Sequence, residues 1–286
     1  MRAMPSRTAE LVTFFRALES RLPPDVRLFE DRYAADLLGA PLKAALTLAR
    51  VGHAVPAAID RGWPGTRVSV IVRTRFIDEV VTASQGEQVV ILGAGFDTRA
   101  LRLVPDRRVF ELDVTETLAL KRERLPQIPS RLVPVDFERE PFEDRLRAAG
   151  FADEPAVFVW EGVTSYLSAE AVDSTLRSIA ALSTLGSRVV FTYLDRSGGR
   201  GLGAAARTVR LVGEPFSFGF DPAELPAYLA GRGLRAIEDV SAAELAERYL
   251  HPRGRRPPAS TLFRIALAER LTSGTSARGR PPPLSA

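Results

Sequence analysis

The sequence predicts an α/β fold: a seven-stranded, mostly parallel sheet with helices on both faces, entered through an N-terminal helical cap. Three observations predict it. From Gln88 onward, short and nearly continuous apolar runs alternate with helical stretches, the signature of strands buried on both faces. A glycine turn, Gly93-Ala94-Gly95, directly follows the first of these runs, where doubly wound folds carry their ligand-binding turn. Before Gln88 the apolar residues follow helical rather than alternating spacing.

In order, helices are expected near Thr8–Ser20, Asp31–Leu38, Leu42–Arg50 and Thr66–Ala83, divided by punctuation such as Leu22-Pro23-Pro24 and Gly62-Trp63-Pro64-Gly65. The strands follow in QVVILGAG, RVFELDV, RLVPVDF, AVFVWEG and RVVFTYLD, with a helix over Ala169–Leu185 before the last. A helix around Pro222–Ala230 and strands near Leu234–Val240 and Leu262–Leu267 complete the seven. The expected division is a cap over 1–87, a core over 88–271 and a disordered tail over 272–286, where Ser, Gly, Arg and Pro dominate.

A chain of 286 residues buries a sizeable core without staples. The absence of cysteine excludes disulfides, thiolate metal sites and a cysteine nucleophile, and leaves the cytoplasm as the expected compartment. No apolar run approaches the ~20 residues of a membrane span. The formal charge of +4 comes from arginines scattered among acids; Lys43 and Lys121 are the lysines. Without an aromatic-interleaved basic stripe, no nucleic-acid partner is expected, and the densest run, Arg253 to Arg256, reads as a solvated loop. No metal site is expected.

The chemistry lies at the ends of the strands. Gly93 and Gly95 permit close approach of a cofactor to the backbone, although a tight strand-to-helix turn wants glycine for its own sake. A dinucleotide site sets a pyrophosphate on the following helix and carries a third glycine there; here Thr98 takes that place and Asp97 brings negative charge, whether as helix cap or ligand contact. That suits a phosphate-free, sulfonium-bearing cofactor better than NAD. Asp113, ending the second strand, has the chemistry to accept two ribose hydroxyls. Asp136-Phe137 and Glu161-Gly162 end the third and fourth strands, so three acids are expected to converge on one crevice. Asp136 there suits the exocyclic amine of adenine, with Phe137 against the ring.

The blocks VVILGAGFDTRALRL, FELDV, Lys121, PVDF and WEGVTSYL, in that order and spacing, resemble the leucine carboxyl methyltransferase family and its bacterial relatives that tailor polyketides and other metabolites. The likeness runs upstream to VRTRFIDEVV and, more loosely, downstream to GEPFSFGFDPAEL, covering about residues 8 to 268. It implies a class I, Rossmann-like methyltransferase using S-adenosyl-L-methionine. Arg73 would hold the methionine carboxylate, Gly93 and Gly95 would pass beneath the cofactor, Asp113 would bind ribose, Asp136 and Phe137 would bracket adenine, and Glu161 would line the methionine end. Arg16 stands where the family places a second basic residue. A guanidinium does hold a carboxylate well, and the alternative for Arg73 is a local salt bridge to Asp78 or Glu79.

Methyl transfer from a sulfonium needs alignment and desolvation more than a catalytic group. A carboxylate acceptor is ionised at neutral pH, whereas a hydroxyl benefits from a base. The histidines, His53 and His251, sit in unpromising segments, which favours a carboxylate. Tyr166 and Tyr193, just past strands four and five, are the candidates to orient the acceptor, and Arg196 and Arg200 those to clamp an acidic one. The expected acceptor is a small molecule, free or carrier-tethered. Two alternatives stand beside this: an NAD(P)-dependent oxidoreductase and a non-catalytic S-adenosylmethionine-binding protein.

Overall fold

The computed structural model describes residues 7–48, 59–62, 64–197 and 216–271. Its helices and strands, in chain order, are α1 (Arg7–Glu19), α2 (Ala40–Leu48), α3 (Thr66–Ala83), β1 (Gln88–Leu92), α4 (Arg99–Arg102), β2 (Arg108–Asp113), α5 (Thr115–Arg124), β3 (Arg131–Pro134), α6 (Glu143–Ala148), β4 (Ala156–Trp160), α7 (Ala169–Leu182), β5 (Arg188–Leu194), α8 (Leu225–Ala230), β6 (Leu234–Ser241), α9 (Ala242–Tyr249) and β7 (Phe263–Arg270). The strands form one sheet in the order β3-β2-β1-β4-β5-β7-β6. All pairings from β3 to β5 are parallel, and β7 runs antiparallel between β5 and β6. Strand order reverses at β1, so the crevice between the carboxyl ends of β1 and β4 is the topological switch point at which such sheets bind ligands.

The period-2 alternation of the strands distributes the core to the two faces. On one face Val90, Leu92, Phe110, Phe158 and Phe191 pack with Val172, Leu176 and Ile179 of α7. On the other, Val89, Ile91, Val157, Val159 and Val190 pack with Val68, Ile71 and Val72 of α3 and Leu245 of α9. The boundary expected at residue 87 therefore runs through a shared core, because α3 covers the sheet directly. α1 belongs to a smaller cluster in which Phe14, Phe15 and Leu18 meet Leu38, Leu46 and Val70.

The helix expected at Asp31–Leu38 is instead a run of turns, closed by three-residue bonds such as Ala34 N–H to Asp31 O and Asp36 N–H to Tyr33 O. Asp31 is drawn inward, where its Oδ2 accepts from Thr98 (2.7 Å) and pairs with Arg16 (3.3 Å). That long-range demand overrides helical spacing. Helices α5, α6 and α9 fall between strands, where the alternation predicts helical stretches without fixing their bounds. The loop expected to be solvated at Arg253–Arg256 is tied down at Arg255, whose guanidinium pairs with the buried Glu19 at 2.6 Å. His53, Arg200 and the tail over 272–286 lie outside the described residues.

Candidate cofactor and acceptor crevice

A crevice of about 940 Å³ opens at the switch point. This is at the upper end of ligand-site volumes and has room for two ligands side by side. Its floor is the end of β1 with Gly93, Ala94 and Gly95; its walls include Asp113, Glu161 and Tyr193 from the ends of β2, β4 and β5; α1 contributes Ala9, Val12 and Arg16.

Both glycines of the turn have positive φ, 62° at Gly93 and 44° at Gly95. A Cβ on Gly93 would stand 2.3 Å from Val163 Cγ2, so this glycine is required by the wall of the crevice itself. At Gly95 the nearest atom to a Cβ, on Ala9, is 3.7 Å away, so this is where the backbone stays open to approach. Asp113 fastens the turn to β2: its Oδ2 accepts from Gly95 N–H and its Oδ1 from Val114 N–H, each at 2.7 Å. A carboxylate has about four acceptor positions, so two amides fix its orientation and leave capacity for more. Burial raises its pKa, partly offset by those amides and by Lys121.

Beneath the turn runs a buried chain of charges. Arg99 is fully buried; its Nε donates to Asp78 (2.8 Å), and its Nη1 pairs with Glu161 Oε2 (2.8 Å) and with Asp97. Glu161 is the bridge to the crevice, because its Oε1 accepts from Arg73 Nε at 2.8 Å. Arg73 is thus not engaged locally: Asp78 pairs with Arg99 and Arg102, and Glu79 with Arg75. Gly162 makes room for it, since a Cβ there would lie 3.3 Å from Arg73 Nη2 on a backbone with φ +72°. Burial opposes the charge on Asp97 and Glu161, but Arg99 and the neighbouring cations overcome it and hold both carboxyls below their usual range. Asp97 also accepts from Arg99 N–H at 2.7 Å; it stabilises the turn from within. Arg16, buried, donates to Phe96 O at 2.5 Å and pins α1 across the turn.

The other candidates separate. Phe137 and Tyr166 line the crevice, with the Tyr166 ring 5.5 Å from that of Phe216. Asp136 does not line it. Its half-exposed carboxylate pairs with Arg139 at 3.2 Å, accepts from Glu138 N–H and lines a small adjacent cavity with Val114 and Arg145; the amides of Arg139 and Glu140 donate to its backbone carbonyl and close a turn. Convergence of three strand-end acids on one crevice is therefore corrected to two, Asp113 and Glu161. Tyr193 lines the crevice with its hydroxyl engaged: it donates to Asp239 Oδ2 (2.7 Å) and accepts from Arg264 Nε (3.1 Å). Burial first, then Asp239, raise its pKa beyond the ordinary phenol range. Arg196 pairs with Glu224 at 3.4 Å. Arg99, Arg264 and Asp239 are residues that the sequence alone does not single out: Arg99 stands inside the GAGFDTRALRL block, while the Arg264–Asp239 pairing is a contact between strands that no local pattern announces.

Residues 9–180 match the profile of the leucine carboxyl methyltransferase family. A relative from Frankia alni, provisionally named an S-adenosyl-L-methionine-dependent methyltransferase, is 36% identical over 192 residues, which span 60% of this chain and 66% of its own. One from Mycolicibacterium gilvum with the same provisional name is 34% identical over 269 residues, 86% of each chain. Among solved structures, a provisionally described methyltransferase from Thermobifida fusca superposes with a TM-score of 0.56 at 20% identity, covering 94% of this chain and 100% of that one. A DUF574-family protein from Streptomyces avermitilis gives 0.60 at 15%, covering 93% and 98%. These two likenesses show the fold.

Fold and relatives together define the class, an S-adenosylmethionine-dependent methyltransferase. Within it, the chain belongs to the leucine carboxyl methyltransferase family, and the oxidoreductase alternative falls. The donor set fits the cofactor: Asp113 has acceptor capacity left for hydroxyls, Glu161 supplies negative charge toward cationic groups, and Arg73 and Arg16 supply the cations a carboxylate requires. The acid at the glycine turn disfavours a phosphate there. No described helix is long and apolar enough to cross a membrane.

Proposed function

We propose that this enzyme methylates an oxygen of a small molecule, and that the oxygen is a carboxylate on a polyketide-type or similar apolar metabolite, free or carrier-tethered. The observation that carries this is the lack of a ready base among the described residues lining the crevice. No histidine is among them, the Tyr193 proton is held by Asp239, and that carboxylate is already paired with Arg264 at 3.2 Å. A carboxylate needs no base; a neutral hydroxyl does.

The methyl donor supplies an electrophilic methyl on sulfur. The residues proposed to hold it are Asp113 at the ribose hydroxyls, Arg73 at the carboxylate, Gly93 and Gly95 beneath it, Glu161 at the methionine end and Phe137 against the adenine. Asp136 is left to the rim. Tyr166 and Tyr193 are proposed to orient the acceptor, whose body rests on the apolar wall of Val12, Leu194, Phe216 and Phe263. Burial there excludes water and aligns the reacting atoms, the main service such a transfer requires.

The test is incubation with isotopically labelled donor and paired panels of aromatic acids and phenols. The expected product is a base-labile methyl ester formed from acids. A base-stable ether formed only from phenols overturns the carboxylate assignment.

A further inference from the structure

At the far end of the crevice, where β5, β7 and β6 lie side by side, Tyr193 and Arg264 line the wall beside Leu194, Phe216 and Phe263, and Asp239 pairs with both. Tyr193 and Arg264 are cross-strand partners in the β5–β7 register, and Asp239 reaches them from β6. Arg264 Nε donates to Asp239 Oδ1 (3.2 Å) and to Tyr193 Oη (3.1 Å), and its Nη2 to the Asp239 carbonyl (3.3 Å). The Tyr193 hydroxyl spends its proton on Asp239 Oδ2.

What this triad leaves over is specific. A guanidinium has five N–H donors, and Arg264 Nη1 makes no hydrogen bond to any described residue, while the side chain lines the crevice and is 16% exposed. Tyr193 Oη gives its hydrogen to Asp239 and accepts one from Arg264; a phenol oxygen so engaged offers a ligand a remaining lone pair and no hydrogen. Side by side, then, the wall presents one charged donor edge and one acceptor. The group that matches both is an oxygen acceptor adjacent to a hydroxyl donor.

We propose that this triad is an acceptor-recognition subsite for a β-hydroxy or ortho-hydroxy acid: Arg264 holds one carboxylate oxygen, and the neighbouring hydroxyl donates to Tyr193. The second carboxylate oxygen is left unengaged by the subsite. Asp239 is a positioning residue, fixing the direction of the Tyr193 proton and the plane of Arg264. This rests on the carboxylate methyltransferase reading and narrows its substrate class.

The experiment uses the full chain saturated with S-adenosylhomocysteine and measures, by calorimetry, the dissociation constants of 3-hydroxy-2-naphthoate, 2-naphthoate and 3-methoxy-2-naphthoate. The hydroxy acid is expected to bind about tenfold more tightly than the other two. Tyr193→Phe should erase that ratio, and Arg264→Met should weaken all three, with S-adenosylhomocysteine affinity unchanged in both. Equal binding of the three probes by the wild-type protein, no binding of any, or a ratio preserved in Tyr193→Phe overturns the subsite. Failure of S-adenosylhomocysteine itself to bind sinks the underlying methyltransferase reading instead. The wild-type comparison decides the matter even if a variant does not fold.

Discussion

At the β1–β4 end of the crevice, Asp113, Asp97 and Glu161 are each fixed by two partners, amides in the first case, an amide and a guanidinium in the second and two guanidinium groups in the third. At the β5–β7 end the walls include Tyr166, Leu194, Phe216 and Phe263 with a few hydroxyl side chains such as Thr192 and Ser217, and the charge there is the Arg264–Asp239 pair. The difference follows from what each end has to hold. A cofactor that is the same at every turnover rewards a rigid, pre-paired charge array, because ordering it costs nothing at the moment of binding. The proposed acceptor end instead offers apolar area and a few polar groups, as small-molecule pockets generally do.

The largest expected effect lies beneath the cofactor end. Arg99→Met removes the cation shared by Asp78, Asp97 and Glu161 and leaves three buried acids competing for fewer partners. Breaking a buried ion pair costs about 3–5 kcal/mol, so urea unfolding should show a loss of that order or failure to fold. Full stability in this variant would mean that the chain of charges is incidental.

Next, Asp113→Ala should weaken S-adenosylhomocysteine binding at least tenfold, ~1.4 kcal/mol, through lost hydrogen bonds. Gly162→Ala forces a Cβ toward Arg73 Nη2 on left-handed backbone; a loss of stability of about 1 kcal/mol and several-fold weaker cofactor binding are expected. Smallest is Asp136→Ala, since that carboxylate is half exposed and its partner Arg139 more so. Affinity should stay within about threefold of wild type, as for most surface positions. An Asp136 effect as large as that of Asp113 would erase the distinction drawn between the two strand-end acids.

Within the cofactor end, binding and folding should also part under acid. Asp113 carries a raised pKa from burial, so as pH falls it takes up its proton above the usual aspartate value of about 3.9 and loses acceptor capacity for hydroxyls. Asp97 and Glu161 carry lowered values; their contribution to stability is fully present above the ordinary carboxylate range and is lost only as pH falls below it. Cofactor binding should therefore fail at a higher pH than the fold, measured by titration calorimetry beside circular dichroism. Coincident loss of both would contradict the assignment.

The central strands were legible because both faces of each are buried, which leaves unbroken apolar runs such as QVVIL and AVFVW. Helix α5 was not, since TETLALKRER buries only Leu118 and Lys121. Helix α9 did announce itself: Ser241 and Glu244 form a capping box, a Ser-x-x-Glu signal in plain view. At the site, glycines and strand-end acids were readable because backbone topology dictates their place. Whether an acid turns inward, as Asp113 does, or outward, as Asp136 does, depends on which amides and cations fold beside it. The Arg264–Asp239–Tyr193 triad is assembled from three strands whose pairing no local pattern specifies.

The most direct test of a crevice divided into donor and acceptor ends is a titration of S-adenosylhomocysteine into the wild-type protein, Asp113→Ala and Arg264→Met. The predicted result is micromolar binding by the wild type, at least about tenfold weaker binding by Asp113→Ala and, for Arg264→Met, an affinity within about twofold of wild type. If Arg264→Met loses the cofactor while Asp113→Ala keeps it, the two ends have been assigned the wrong way round.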